Sequence, residues 1–233
     1  DIRKIEDLNN AIKGHDIVIH LAAKISVEES MKNPSETFQT NVEGTKNTLI
    51  ACEKNGIKKI IVSSSAAVYG ESEADIKLTE KSKINPISPY GESKMMMENE
   101  IKEFAKDHNV EYVILRFFNI YGKDQSPEYA GVITKFIKKI KMNKPLEVFG
   151  NGMQTRDFIS VKDVVSSIYH SIENGKNRIY NVASGNPITI KELAKLMIRL
   201  SKKDLKIIYN DGKKGDIRFS EADISLAKKE LCY

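Results

Sequence analysis

Tryptophan is absent from this chain of 233 residues, and cysteine occurs only twice, at Cys52 and Cys232. Two thiols so far apart, with no His or Cys spaced around them, make neither a disulfide framework nor a zinc signature. Cys52 falls inside an apolar helical pattern and reads as core. A reducing, cytoplasmic setting is therefore expected, with no metal. No apolar run reaches about 18 residues, so no membrane-spanning helix is expected either. Arginine is scarce: of 37 basic residues only Arg3, Arg116, Arg156, Arg178, Arg199 and Arg218 are arginines. Because a guanidinium reads phosphate with a fixed fork and an ammonium does not, those six positions are the ones to locate. The lysines are spread along helices, as on a solvated surface, and the net charge of +5 has no nucleic-acid motif behind it. A mild positive balance suits an anionic small molecule instead.

What is present reads as an ordinary globular composition, 40% hydrophobic and 30% charged, long enough to bury a sizeable core. Ile5 to Ile12 predicts a short helix ended by Gly14. The run from Asp16 to Ala22 is continuously apolar, as in a buried parallel strand. A long helix is expected from about Pro34 to Asn55, closed by the pair Asn55-Gly56. Lys59 to Ser63 and Tyr112 to Phe118 predict two more buried strands, with a helix from Pro89 to about Asn109 between them. Strand and helix in alternation imply a doubly wound parallel α/β sheet of Rossmann type. Beyond Gly122 shorter strands (146–149, 156–160, 178–183, 205–209) alternate with helices at about 129–142, 161–173 and 189–200. The expected division is a sheet domain over 1–122 and a smaller α/β substrate-binding region over 123–233, with a groove between them.

The chemistry centres on Ser88-Pro89-Tyr90-Gly91-Glu92-Ser93-Lys94. Tyr90 and Lys94 are four residues apart and share one helix face, which Ser88 can cap and Pro89 can open. An ammonium beside a phenol favours the phenolate and lowers a pKa normally about 10. A phenol brought near neutrality is a usable general acid/base. Ser65 ends a strand in Ser63-Ser64-Ser65-Ala66-Ala67-Val68-Tyr69-Gly70. A hydroxyl, a phenol and an ammonium at one strand end can hold and deprotonate a substrate hydroxyl.

Those two stretches together resemble the extended short-chain dehydrogenase/reductases, the NAD-dependent epimerase/dehydratase family, and within it the UDP-glucose and UDP-N-acetylglucosamine 4-epimerases. Further blocks carry the likeness through most of the chain. His20-Leu21-Ala22-Ala23 matches the loop against the cofactor, Asn41-Val-Glu-Gly-Thr45 a supporting helix, and Asp1-Ile2 the pair that contacts adenine. Arg116-Phe-Phe-Asn119-Ile-Tyr-Gly122 matches the strand whose Asn holds the substrate phosphate. The segment from Arg156 to Asp163 matches one whose Arg clamps a diphosphate, and Lys213 to Asp223 a late nucleotide-binding segment. The resemblance implies that Tyr90 takes the proton from a sugar 4-hydroxyl, Ser65 bonds that oxygen, and Lys94 tunes Tyr90 and binds a cofactor ribose. NAD is the implied cofactor, held by Asp1, Ile2, Leu21, Ala22, Ala23, Asn41, Ser63, Tyr90 and Lys94. A UDP-sugar is the implied substrate, oxidised transiently at C4 to a 4-keto sugar and held by Ser65, Asn119, Phe149, Arg156, Lys213, Asp216 and Ser220. Moving the phenol pKa by about 3 units requires about 4 kcal/mol, a task for the ammonium and the cofactor's positive ring. A homodimer through the helices at 34–55 and 89–109 is also implied.

The dehydratases of the family carry an Asp-Glu pair where this chain has Ala66-Ala67, which argues for epimerisation over elimination of water. Ser220 stands where epimerases restricted to non-acetylated sugars carry a bulky Tyr, so room for an N-acetyl group is expected. Nucleotide-sugar decarboxylases and reductases share the frame and stay open. The Gly-x-x-Gly-x-x-Gly turn that receives the NAD pyrophosphate occurs nowhere in the sequence, and the first two strands of the family's sheet are expected to be missing. That leaves a second alternative, a non-catalytic nucleotide-sugar binding protein that lacks NAD.

Overall fold

The three long apolar runs lie side by side in one sheet; those at 59–65 and 111–117 are buried on both faces, and that at 17–20 is a half-exposed edge. The structure, a computed structural model, describes all residues except 75, 127–130, 213–216 and 232–233. Its first half runs α1 (Ile5–Ile12), β1 (Ile17–His20), α2 (Val27–Lys32), α3 (Pro34–Phe38), α4 (Gly44–Lys54), β2 (Lys59–Ser65), α5 (Pro89–His108) and β3 (Glu111–Phe117). The second half runs β4 (Asn119–Tyr121), α6 (Val132–Lys141), β5 (Leu146–Phe149), β6 (Thr155–Ser160), α7 (Val161–Glu173), β7 (Arg178–Val182), β8 (Pro187–Thr189), α8 (Ile190–Ser201), β9 (Ile207–Asn210) and α9 (Ser225–Leu231).

Strands β1, β2, β3 and β7 form a parallel sheet in that order. Successive side chains of a strand point to opposite faces, and the packing follows. Ile60, Val62 and Ile114 join Leu8, Leu49 and Ile101 on the side of α1, α4 and α5. Ile61, Val113 and Leu115 join Val164, Tyr180 and Leu231 on the side of α7 and α9. Helices on both faces of a parallel sheet make the doubly wound α/β architecture. A smaller core of Phe136, Leu146, Val148, Ile190 and Leu193 holds α6 and α8 against the two-stranded pair β5–β9. Strands β4, β6 and β8 form a third sheet.

Two features differ from the sequence reading. The helix expected from Pro34 to Asn55 runs continuously from Pro34 to Lys54 but takes a π-helical turn at Gln39–Glu43, between α3 and α4, and α2 precedes it unforeseen. The division at Gly122 does not separate the sheet from the rest. Strand β7 pairs with β3 from Val113↔Arg178 to Phe117↔Val182, so a segment assigned to the smaller region completes the main sheet. The end of α7 is pinned to the start of β2: Lys59 Nζ donates to the carbonyls of Ile172, Asn174 and Gly175 at 3.1, 3.3 and 2.9 Å. Those carbonyls lie at a helix C-terminus and want donors and positive charge. Among the described residues, no helix is long and apolar enough to cross a membrane.

Candidate active site

Helix α5 starts where the sequence says it should. Ser88 is extended and its Oγ accepts the Gly91 N–H at 3.1 Å, with Pro89 in the first turn. The turn comes unusually close to the end of β2: a Cβ on Gly91 would meet the Ala67 carbonyl oxygen at 2.5 Å. Only glycine allows that approach, and it brings Tyr90 to Ser65. The hydroxyl of Ser65 accepts the Ala67 N–H at 3.2 Å and faces the Tyr90 phenol, whose pKa it lowers. One turn on, Lys94 Nζ donates to the Ser63 carbonyl at 2.7 Å. Ser63, Ser65, Tyr90 and Lys94 thus line one wall of an open cleft of about 1570 Å³.

The electrostatics correct one expectation. Tyr90 is buried, and burial pushes its phenol above the ordinary value; the opposing, lowering influence is the hydrogen bond from Ser65. Spacing alone puts the ammonium next to the phenol, but the ammonium is committed to the Ser63 carbonyl. Burial lowers Lys94 itself to about 8, with Glu98 pulling the other way. The chain by itself therefore holds Tyr90 as a neutral phenol at pH 7.

Asn119, Phe149, Arg156 and Ser220 line the same cleft from β4, β5, β6 and the segment after β9, and Leu21 lines it from the loop after β1. Arg156 Nη1 donates to the Thr155 carbonyl at 2.7 Å, and the Ser220 N–H donates to Thr155 Oγ1 at 3.3 Å. Lys213 and Asp216 lie outside the described residues. Ala22 is exposed and Ala23 half-buried in the loop beside Leu21. Asp1 and Ile2 are not among the cleft-lining residues. The Asp1 carboxylate takes the Arg3 guanidinium at 2.6 Å, and Ile2 packs against Gly44 of α4. Asn41 is fully buried and acts as a cross-link. Its side chain accepts the Lys24 N–H at 2.7 Å and donates to the Lys24 carbonyl and to Ser93 Oγ, both at 2.9 Å.

Other residues shape the site without having been foreseen. Ser30 of α2, fully buried, accepts the Tyr90 N–H at 3.2 Å. Glu98, on the same face of α5 as Tyr90 and Lys94, pairs with Arg116. The signal for that pair was in the sequence: an Arg inside the apolar run Tyr-Val-Ile-Leu-Arg requires a buried carboxylate.

His20 lies buried at the end of β1. Its Nε2 lies 3.0 Å from Thr45 Oγ1, whose own proton goes to the Asn41 carbonyl at 2.6 Å. Nε2 must therefore carry the proton, in a neutral ring. Burial first, and the Lys94 charge second, lower its pKa from 6.5 to about 4. As pH falls the unfolded chain takes up this proton before the folded one, so stability from this residue is intact above about pH 6.5 and lost on the way to about pH 4. His20→Gln keeps a donor for Thr45 and removes the titration. Between pH 7 and 4.5 wild type is expected to lose about 2 kcal/mol more than His20→Gln in urea unfolding. Equal losses would dismiss the assignment.

Comparison with known proteins agrees with this geometry. Residues 1–183 match the family described as NAD dependent epimerase/dehydratase. A UDP-N-acetylglucosamine 4-epimerase from Methanobrevibacter ruminantium, solved with UDP-N-acetylmuramic acid, superposes with a TM-score of 0.91 at 38% identity, over 97% of this chain and 73% of that one. The UDP-glucose 4-epimerase of Thermotoga maritima, solved with UDP-glucose, superposes with a TM-score of 0.96 at 33% identity, over 100% of this chain and 77% of that one. A UDP-glucuronate 4-epimerase of Thermodesulfobacterium geofontis is 32% identical over 238 residues, 99% of this chain and 72% of its own length. With the parallel sheet, the Ser65–Tyr90–Lys94 cleft and a match over most of its length, this chain belongs to the NAD dependent epimerase/dehydratase family.

Proposed function

We propose that the chain is a nucleotide-sugar 4-epimerase that uses NAD and acts on UDP-sugars. The observation that carries the reading is that Ser65 and Tyr90 line one cleft together with Lys94, Asn119 and Arg156. Tyr90 as phenolate takes the proton from the sugar 4-hydroxyl and later returns it. Ser65 holds that oxygen, and Arg156 and Asn119 hold the diphosphate, a guanidinium fork being suited to it. The residue after Ser65 is alanine, as is the next, so no carboxylate stands there to drive elimination of water.

The residues fit the nicotinamide end of the cofactor. Of the Lys94 protons one goes to the Ser63 carbonyl at 2.7 Å and one toward Met97 Sδ at 3.9 Å, which leaves a donor for a ribose. Leu21, more than half exposed, offers an apolar surface beside Ser63. NAD, when bound, supplies a hydride acceptor with a positively charged ring. That charge is of the sign needed to bring down a phenol that burial has raised.

Ser220, small and buried at the cleft wall, supports acceptance of N-acetylated sugars beside UDP-glucose and UDP-galactose. Ile50, exposed on α4, supports a homodimer through α4 and α5. Incubation with NAD and each of UDP-glucose, UDP-N-acetylglucosamine and UDP-glucuronate, with products read by NMR, tests the reading. Conversion of the first two to their 4-epimers is expected, and Ser220→Tyr should abolish only the second. Conversion of UDP-glucose alone would remove the Ser220 argument; a decarboxylated or reduced product, or no product at all, would remove the epimerase.

A further inference from the structure

Arg116 and Glu98 form an ion pair in which each side chain is 1% exposed. The contact is bidentate: Nε donates to Oε1 at 2.9 Å and Nη2 to Oε2 at 2.7 Å. Such a pair is weak evidence for stability, since apolar residues of the same volume often serve a fold as well. What sets this pair apart is where its remaining bonds go. Ser64 is the register partner of Arg116 across β2 and β3, and its Oγ donates to the same Oε1 at 2.6 Å. Arg116 Nη1 donates to the Tyr69 hydroxyl at 2.9 Å, which donates on to Asn181 Oδ1 at 2.6 Å. Ser65 is thereby held from the residue before it and from the turn after it by one ion pair.

The helix side of the contact is equally regular. Tyr90, Lys94 and Glu98 stand four residues apart on α5, on one face. They meet three consecutive residues of β2: Tyr90 meets the Ser65 hydroxyl, Lys94 the Ser63 carbonyl, and Glu98 the Ser64 hydroxyl. A small slip of α5 along β2 breaks all three. The first two contacts lie at the open cleft, whereas the third is fully buried and charged, and so is the stiffest of the set.

We propose that Glu98, locked by Arg116, is a positioning residue that sets the register of α5 against β2 and so holds Tyr90 to Ser65 and Lys94 to Ser63. The proposal rests on the reading of Ser65, Tyr90 and Lys94 as the reacting set. Glu98 also acts on Lys94 through its charge. The groups that face Lys94 are Tyr90 and Glu98 from α5 and His20 from β1, with Arg116 of β3 beyond Glu98. His20 is neutral, so Glu98 is the anion that supports the Lys94 ammonium. Replacing Glu98 by Gln leaves the Arg116 charge uncompensated and moves the Lys94 titration down.

The test uses wild type, Ser64→Ala and Glu98→Gln, each with isotope-labelled tyrosine and lysine, titrated by NMR and assayed with UDP-glucose and NAD. The Tyr90 resonance is assigned by its loss in Tyr90→Phe. Ser64→Ala deletes one hydrogen bond and leaves the ion pair, so it folds. It is expected to raise the Tyr90 midpoint and lower kcat about tenfold, with KM within about twofold. Glu98→Gln should do the same and in addition lower the Lys94 midpoint; if it does not fold, Ser64→Ala decides alone. An unchanged Tyr90 midpoint in Ser64→Ala overturns the proposal. Should wild type convert no UDP-sugar, the epimerase reading falls, while the Tyr90 titration still decides whether Glu98 positions it.

Discussion

Tyr90→Phe is expected to lower turnover of a UDP-sugar by about 10²–10⁴-fold, the usual worth of a positioned general acid/base, while the fold and UDP affinity stay as they are. The substitution removes one oxygen and leaves the buried ring in place. That oxygen has one described partner, Ser65, and is held in surroundings that disfavour its charge. Ser65 keeps the Ala67 N–H and lines the open cleft, where water can take the place of the phenol, so little stability is lost. Arg156, Asn119 and Phe149 are on other elements of the cleft, so calorimetric titration with UDP should not register the change. The raised phenol pKa adds a sign: activity should climb with pH on the acid side, because the form that accepts a proton is the minor one at neutrality. A variant that still turned over at the wild-type rate would remove Tyr90 from the reacting set, whatever its place in the cleft.

The main sheet was legible in the sequence because strands buried on both faces cannot alternate. Ile60 to Val62 and Val113 to Leu115 are fully buried, and such runs have few other readings. The start of α5 was legible for a different reason: Ser88, Pro89 and Gly91 are each demanded by local backbone geometry. The π-helical turn at Gln39–Glu43 was not, since one extra residue in a turn leaves the helical period almost intact. Helix α2 has six residues, too few to show a period, and it is held by its Ser26 cap and by Ser30 against Tyr90. That Arg178–Val182 is a strand could be read from its composition. Which sheet it joins is decided by pairing with β3, about which hydropathy says nothing.

The site divides along the same line. Side-chain identity and spacing gave the Ser65, Tyr90 and Lys94 set, and the glycine beside Tyr90 marks the close approach that brings them together. Spacing carried no information about burial, and burial is what reverses the expected shift of the phenol. Asn41 is a parallel case. The resemblance implied a cofactor-binding residue there, yet it is fully buried and bonds to Lys24 and Ser93, so it ties the loop after β1 to the Tyr90 helix.

Arg116→Met carries the largest expected effect on stability. The guanidinium is the main partner of a carboxylate with almost no exposure, and its loss leaves Glu98 with the Ser64 hydroxyl alone. Breaking a buried pair from one side costs about 3–5 kcal/mol, a fall in Tm of roughly 10 °C for a chain of this length. In wild type, burial works against the Arg116 charge, but the hydrogen bonds and charge of Glu98, with Tyr69 adding to them, more than offset it and raise its pKa. In the variant the same burial falls on Glu98 with only the Lys94 charge and the Ser64 hydroxyl to offset it. Adding Glu98→Gln to Arg116→Met removes the orphaned charge, keeps an acceptor for Ser64, and should recover at least half of the loss. Urea unfolding of wild type, the single variant and the double variant at pH 7 measures the loss and its recovery. A loss below about 1 kcal/mol in Arg116→Met, or a double variant no better than the single one, would mean that the Glu98 carboxylate finds water or another donor, and that the pair does not hold β2, β3 and α5 in register.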